Sequence, residues 1–114
     1  MERNYIYTAK IVSVYDGDTM TAEVDLGFNV KMKMKLRLAE INTPELRGEE
    51  KEAGIVARDY VRELVLGKEV IFESVKDKSG KYGRYLAKIY VDTEEGQLYL
   101  NDHLIQEGMA ERYK

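Results

Sequence analysis

The run Val30-Lys31-Met32-Lys33-Met34-Lys35-Leu36-Arg37-Leu38 alternates apolar and basic residues without a break. A period of two is the repeat of a β-strand, whose successive side chains point to opposite faces. It does not fit the 3.6-residue repeat of a helix. The run therefore predicts a strand that turns Val30, Met32, Met34, Leu36 and Leu38 toward a core. Lys31, Lys33, Lys35 and Arg37 lie on its wet face. Any fold for this chain has to supply a half-buried sheet around that strand.

The flanking sequence supplies partners for it. Tyr5 to Val14 is rich in β-branched and aromatic residues, Asp16-Gly17-Asp18 is a turn signal, and Thr19 to Leu26 resumes strand-like sequence. A helix is predicted from near Gly48 or Glu49. Ala53, Val56, Ala57, Tyr60, Val61, Leu64 and Val65 recur at helical spacing and form one apolar stripe. Glu49, Glu50 and Glu52 suit the positive end of the helix dipole, and Gly67 is the expected stop. Strands return at Glu69 to Val75 and Arg84 to Val91, around a polar turn from Lys76 to Lys81. A short strand from Gln97 to Leu100 precedes a last helix, capped by Asn101 or Asp102 and ended by Gly108. Three strands, a helix, two strands and a short helix make a mainly β, α+β protein. That order fits a five-stranded OB-fold barrel with a helix between strands 3 and 4. SH3-like barrels and other α+β sheets use similar parts.

The 114 residues are expected to form one domain with a modest core, since 44% are hydrophobic and 34% charged. The absence of cysteine excludes disulfides, thiolate metal sites and cysteine nucleophiles. A net charge of −3 argues against tight nonspecific duplex binding through overall charge, so any nucleic-acid contact has to use a local positive cluster. No apolar run reaches membrane-spanning length, and the N-terminal sequence lacks a leader-like pattern. The expectation is a cytoplasmic protein without a membrane role.

Four local features carry chemistry. Asp16 and Asp18 flank Gly17 at a strand–turn–strand junction, where two carboxylates can hold a hard cation such as Ca²⁺, although an ordinary turn has the same composition. In Asn42-Thr43-Pro44-Glu45, Pro44 stiffens the segment and pushes Thr43 toward extended geometry, so that Glu45 projects from a fixed backbone. Arg37 ends the basic face of the alternating strand. In Lys81-Tyr82-Gly83-Arg84, a guanidinium able to hold two phosphate oxygens follows a glycine turn. Read one at a time, these are a turn, a helix approach, a solvated face and a hairpin.

In this order and with these intervening elements, the stretches VYDGDT (14–19), LRLAEINTPE (36–45), KYGRYLA (81–87) and NDHLIQEGMA (101–110) make the chain resemble the staphylococcal nuclease-like family over nearly its whole length. The resemblance implies an OB barrel that hydrolyses phosphodiester bonds of DNA or RNA with Ca²⁺ and leaves 3′-phosphate ends. By the same resemblance Asp18 ligates Ca²⁺ directly, Asp16 acts through water or from behind it, Asn42 takes a ligand position, and Thr43 offers its backbone carbonyl. Glu45 activates water, and Arg37 and Arg84 grip the phosphate. Lys81 and Tyr82 contact a neighbouring phosphate, while Tyr113 lies where the family has aromatic residues beside the site. Tyr82 stacked on an unpaired base favours single-stranded or frayed substrate. Tyr85 and Tyr99 are expected to serve packing, and His103 is given no catalytic role.

The sequence departs from the family at position 42, where the family's better-known members carry Asp. An Asn carbonyl still ligates Ca²⁺ but brings no charge, which implies weaker metal binding. Glu40 lies two residues away on the other strand face and is a poor substitute. The stretch between Glu45 and the helix is short, which reduces any loop over the substrate. Longer members continue past the last matched block into another helix, so lower stability, or a partner covering that face, is expected here. Family members that have lost catalytic residues serve as noncatalytic nucleic-acid-binding or protein-interaction modules, and this is the alternative function.

Overall fold

A computed structural model describes residues 5–75 and 84–113. Eight strands and two helices are found among them. β1 (Tyr5–Asp16), β2 (Thr19–Asp25) and β3 (Lys31–Leu38) form an antiparallel meander, followed by the two-residue β4 (Ile41–Asn42). A single 3₁₀ turn at Gly48–Glu50 leads into α1 (Lys51–Val65), and β5 (Glu69–Val75) follows. β6 (Arg84–Thr93), β7 (Gly96–Tyr99), α2 (Leu100–Gln106) and β8 (Glu111–Arg112) complete the chain. The turn expected from Lys76 to Lys81 lies outside the described residues, as do Lys81 and Tyr82 themselves.

The barrel closes through two strands that change partner. β1 pairs with β2 on one side and β5 on the other, while β6 pairs antiparallel with β5 and parallel with β3 over Lys35–Leu38. Strands β1, β2, β3, β6 and β5 thus form a closed five-stranded barrel of the OB type. Register shifts between Ile11 and Ser13 and between Val14 and Asp16 bend β1 so that it can serve both partners. Alternate residues fill the interior, among them Ile11, Met20, Leu36, Phe72 and Ile89, each essentially inaccessible to water. Val61 and Val65 of α1 and Leu104 of α2 close the cluster.

The alternation in β3 is inward-facing only over its second half. Leu36 and Leu38 are fully buried, Met34 is half-buried, and Met32 and Val30 are about half exposed, at 49% and 50%. Among the described residues pairing with β6 begins at Lys35, the point from which the alternation of β3 faces the barrel interior. The helical stripe is likewise narrower than expected. Gly54, Ala57, Val61 and Val65 are buried, whereas Ala53 and Val56 face solvent. The strand after β6 runs from Gly96 to Tyr99 and the last helix starts at Leu100. Tyr99 is stacked on Tyr90 with ring centroids 4.9 Å apart, a packing role, while Tyr85 is exposed. His103 is held by the Tyr60 hydroxyl at 2.6 Å, which ties α2 to α1.

Asn101 does not cap α2. It lies inside the helix, 1% exposed, and its Nδ2 donates to the carbonyls of Ala39 and Ala87 at 3.0 Å each. Its Oδ1 accepts from the Ile89 N–H at 3.2 Å. One amide thereby ties three backbone groups together where β3 ends beside β6, and the Ala87 carbonyl also accepts the Ala39 N–H at 2.8 Å. Among the described residues, no helix is long and apolar enough to cross a membrane.

Asn101→Leu, nearly isosteric, takes the side-chain partner from the Ala39 carbonyl and the Ile89 N–H and leaves the Ala87 carbonyl with the Ala39 N–H alone. The expected cost is about 3 kcal/mol of unfolding free energy in urea titrations, set by unmet polar groups rather than by lost volume.

Candidate catalytic site

The site grows from the β1–β2 turn. The Asp16 carboxylate accepts the Asp18 N–H at 3.1 Å and shapes the turn. Gly17 is needed there because a Cβ would stand 2.8 Å from Cγ2 of Thr43. The Asp18 carbonyl accepts the Leu38 N–H at 2.8 Å, which fastens the turn to the end of β3. Thr19 and Arg37 are cross-strand partners, so the guanidinium is delivered to the same place.

Asp18 is 5% exposed, and both its oxygens are engaged. Oδ2 accepts the Thr43 N–H at 2.9 Å and lies 3.5 Å from Arg37 Nη2. Oδ1 accepts the Thr19 hydroxyl at 3.1 Å. Arg37 donates from Nη1 to the Leu38 carbonyl at 2.7 Å and from Nη2 to Asn42 Oδ1 at 3.3 Å. Its Cζ lies 6.0 Å from the centre of the Tyr113 ring, the outer limit of a cation–π contact. Asp16, Asp18, Arg37, Asn42, Thr43 and Tyr113 are therefore brought together by the fold.

Tyr113 arrives through pairings that no sequence signal announced. β8 pairs with β4, setting Ile41 against Arg112 and Asn42 against Glu111, and the Tyr113 N–H donates to the Glu40 carbonyl at 2.8 Å. Glu40 sits in a left-handed turn with φ of 66° and is exposed, away from the cluster's interior.

Glu45 stands apart from this cluster. The Glu45 carboxylate is exposed and lies 3.7 Å from the equally exposed Arg47, while its N–H donates to Glu50 Oε1 at 3.1 Å. What fixes its backbone is Gly54 of α1. A Cβ there would meet the Glu45 carbonyl oxygen at 2.2 Å and the Pro44 oxygen at 3.0 Å. Gly54 escaped the sequence reading, although a glycine within an amphipathic helix is a signal of close backbone approach. Arg84 opens β6, and its backbone registers with Lys35, two residues before Arg37 along β3.

The donors near Asp18 are all oxygens: two carboxylates, the Asn42 amide and Thr43. That chemistry suits a hard cation of the Ca²⁺ kind rather than zinc. The Asp16 carboxyl is pushed up to about 6, first by burial and then by its hydrogen bond and charge repulsion with Asp18. Two acids forced together, with the ionised form of one disfavoured, are what a cation would relieve. The Thr43 hydroxyl adds a buried oxygen with no hydrogen-bond partner. Among the described residues, however, no three side chains of Asp, Glu, His or Cys converge on one point. The acidic part of the donor set is thus the Asp16–Asp18 pair.

Residues 35–114 match the family model described as staphylococcal nuclease homologue. The chain belongs to that family. It is 30% identical to an uncharacterized protein of Methanocaldococcus jannaschii, an alignment that covers 94% of this chain and 59% of the relative. It is 28% identical to the thermonuclease of Staphylococcus hyicus, over 90% of this chain and 57% of the relative. An uncharacterized endonuclease of Haemophilus influenzae is 29% identical, over 94% of this chain and 53% of its own length. The chain thus spans little more than half the length of these relatives.

A prediction follows from the raised Asp16 carboxyl. Its pKa in the folded protein exceeds the unfolded value of 3.8, so folding favours the protonated form. Its contribution to stability is complete below that value and is lost as pH rises through about 6. In EDTA, urea titrations from pH 4 to 7 should show this decline, and Asp16→Asn should flatten it.

Proposed function

We propose that the chain is a Ca²⁺-dependent nuclease that hydrolyses phosphodiester bonds of DNA or RNA and leaves 3′-phosphate ends. The observation that carries this reading is the junction at Asp18, where one buried carboxylate holds Thr43 in place and lies against Arg37. Asp18, Asp16, the Asn42 amide and the Thr43 carbonyl would hold the ion. Ca²⁺ supplies positive charge beside the phosphate and lowers the cost of bringing a nucleophile to an anion.

The protein's own groups do the rest. The Arg37 guanidinium is aimed by Leu38, Asn42 and Asp18 and offers N–H donors to the phosphoryl oxygens, with Arg84 as the second cation. Their charge opposes the negative charge that builds on those oxygens as the phosphorus becomes five-coordinate. Glu45 accepts the proton of the attacking water, and the bond to the 5′-oxygen breaks as the new P–O bond forms. Glu45 leaves its surface position beside Arg47 for this, while its backbone stays seated on Gly54. Lys81 and Tyr82 bind the neighbouring phosphate, and Tyr113 covers Arg37 on the open side. An unpaired strand is the favoured substrate, because the site's positive charge is local and the chain as a whole is acidic.

The position of Glu45 beside Arg47, together with the uncharged Asn42, also favours a second reading. In it the barrel binds single strands without cutting them.

Cleavage of a quenched fluorescent single-stranded DNA, with Ca²⁺ titrated against EDTA, separates the two. Metal-dependent cutting is expected, reduced by roughly 10²- to 10⁴-fold in Glu45→Gln with the fold intact. Full activity in that variant, or none in the parent with any of Ca²⁺, Mg²⁺ and Mn²⁺, removes the proposed mechanism. In the same assay Gly54→Ala, which displaces the Pro44–Glu45 backbone, should lower kcat on the order of a hundredfold with KM little changed.

A further inference from the structure

We infer that Glu111 is a metal-directed carboxylate that supplies the negative charge Asn42 lacks. The inference rests on the Ca²⁺ reading above and adds to it a residue from the end of the chain. Asn42 and Glu111 are direct partners in the β4–β8 ladder. Residues opposed in an antiparallel pair project from the same face, with Cβ atoms about 5 Å apart.

That face looks onto the site. The Asn42 side chain accepts from Arg37 Nη2, which lies beside Asp18. Tyr113 is two residues beyond Glu111, and its ring centre lies 6.0 Å from Arg37 Cζ. The two contacts, one from each segment, meet at Arg37.

Glu111 is also uncommitted. Among the described residues it makes no hydrogen bond or ion pair, whereas its neighbour Arg112 is paired with Asp102 at 3.6 Å. Glu111 shares an open hollow with Asn42 and Thr43. Its side chain is one methylene longer than that of Asn42, and it is exposed, so a change of rotamer costs little. Ca²⁺ takes six to eight oxygen ligands, and affinity rises with the number of charged ones. Asp16 and Asp18 alone leave that charge low. A third carboxylate, bound directly or through a water, raises it without changing Asn42.

The test is isothermal titration of the full chain with Ca²⁺ in the absence of nucleic acid. It compares the parent, Glu111→Gln, Asn42→Asp and the double variant, with circular dichroism to check each fold. Glu111→Gln should weaken Ca²⁺ binding by roughly tenfold or more, and Asn42→Asp in the same chain should restore it. Equal Ca²⁺ affinity in the parent and Glu111→Gln overturns the inference and leaves the Ca²⁺ reading standing. Absence of Ca²⁺ binding in the parent overturns both. If Glu111→Gln leaves Ca²⁺ affinity unchanged but tightens binding of a short oligonucleotide in EDTA, Glu111 acts on Arg37 instead, and the inference is likewise wrong.

Discussion

The carboxylate of Asp18 joins three segments that are far apart in sequence. It caps its own turn through Thr19, receives the Thr43 N–H from the segment after β4, and faces Arg37 at the end of β3. Its backbone carbonyl adds the bond to Leu38. A carboxylate this deeply placed is costly to desolvate, and that cost is offset because each of its oxygens accepts a hydrogen bond and a guanidinium lies 3.5 Å away. The same bonds that offset this cost fix the relative positions of the turn, the strand end and the Thr43-Pro44 segment. The barrel provides the surfaces, but this junction decides where the carboxylate, the guanidinium and the neutral oxygens stand.

The site draws its rigidity from elements that carry no chemistry. Arg62 of α1 donates through two nitrogens to the Val14 carbonyl, at the point where β1 shifts register before Asp16. Gly54, two helical turns earlier on the same helix, receives the Pro44–Glu45 backbone without a side chain in between. α1 therefore touches both loops of the site, one by a long cation and one by the absence of a Cβ. Asn101 does comparable work from α2 by holding the strand ends around Ala39 and Ala87. A substitution in either helix can change the site without touching it.

How far the sequence revealed this depends on the range of the interactions. The strands, the first helix and the DGDT turn obey local rules, and they were legible because period, propensity and turn residues agree. The exposure of the first half of β3 was not legible. Val30 and Met32 continue the same alternation as Leu36, and among the described residues only the second half of β3 lies against β6. Asn101 read as a cap because Asn beside a helix start is locally plausible. Its actual partners, Ala39 and Ala87, are set by closure of the barrel. The β4–β8 ladder is two residues on each side, too short for any period to show. The family was legible in the order and spacing of the four motifs, while Gly54 and Glu111 take their meaning only from what lies opposite them.

Position 42 shows how these levels combine. Read along the chain, Asn in place of Asp is a simple loss of charge at a cation site. In the folded protein that residue is one of a cross-strand pair, and its amide oxygen already serves Arg37. An aspartate there would draw the guanidinium more strongly toward the acidic pair and away from a phosphate. A neutral oxygen at 42, with an exposed carboxylate across the ladder, would separate the two tasks. Arg37 is held at 3.3 Å by an uncharged acceptor, and on the proposed reading the charge would come from Glu111. The charge at such a site is therefore a property of the strand pair, and a substitution on one strand has to be weighed against the residue facing it.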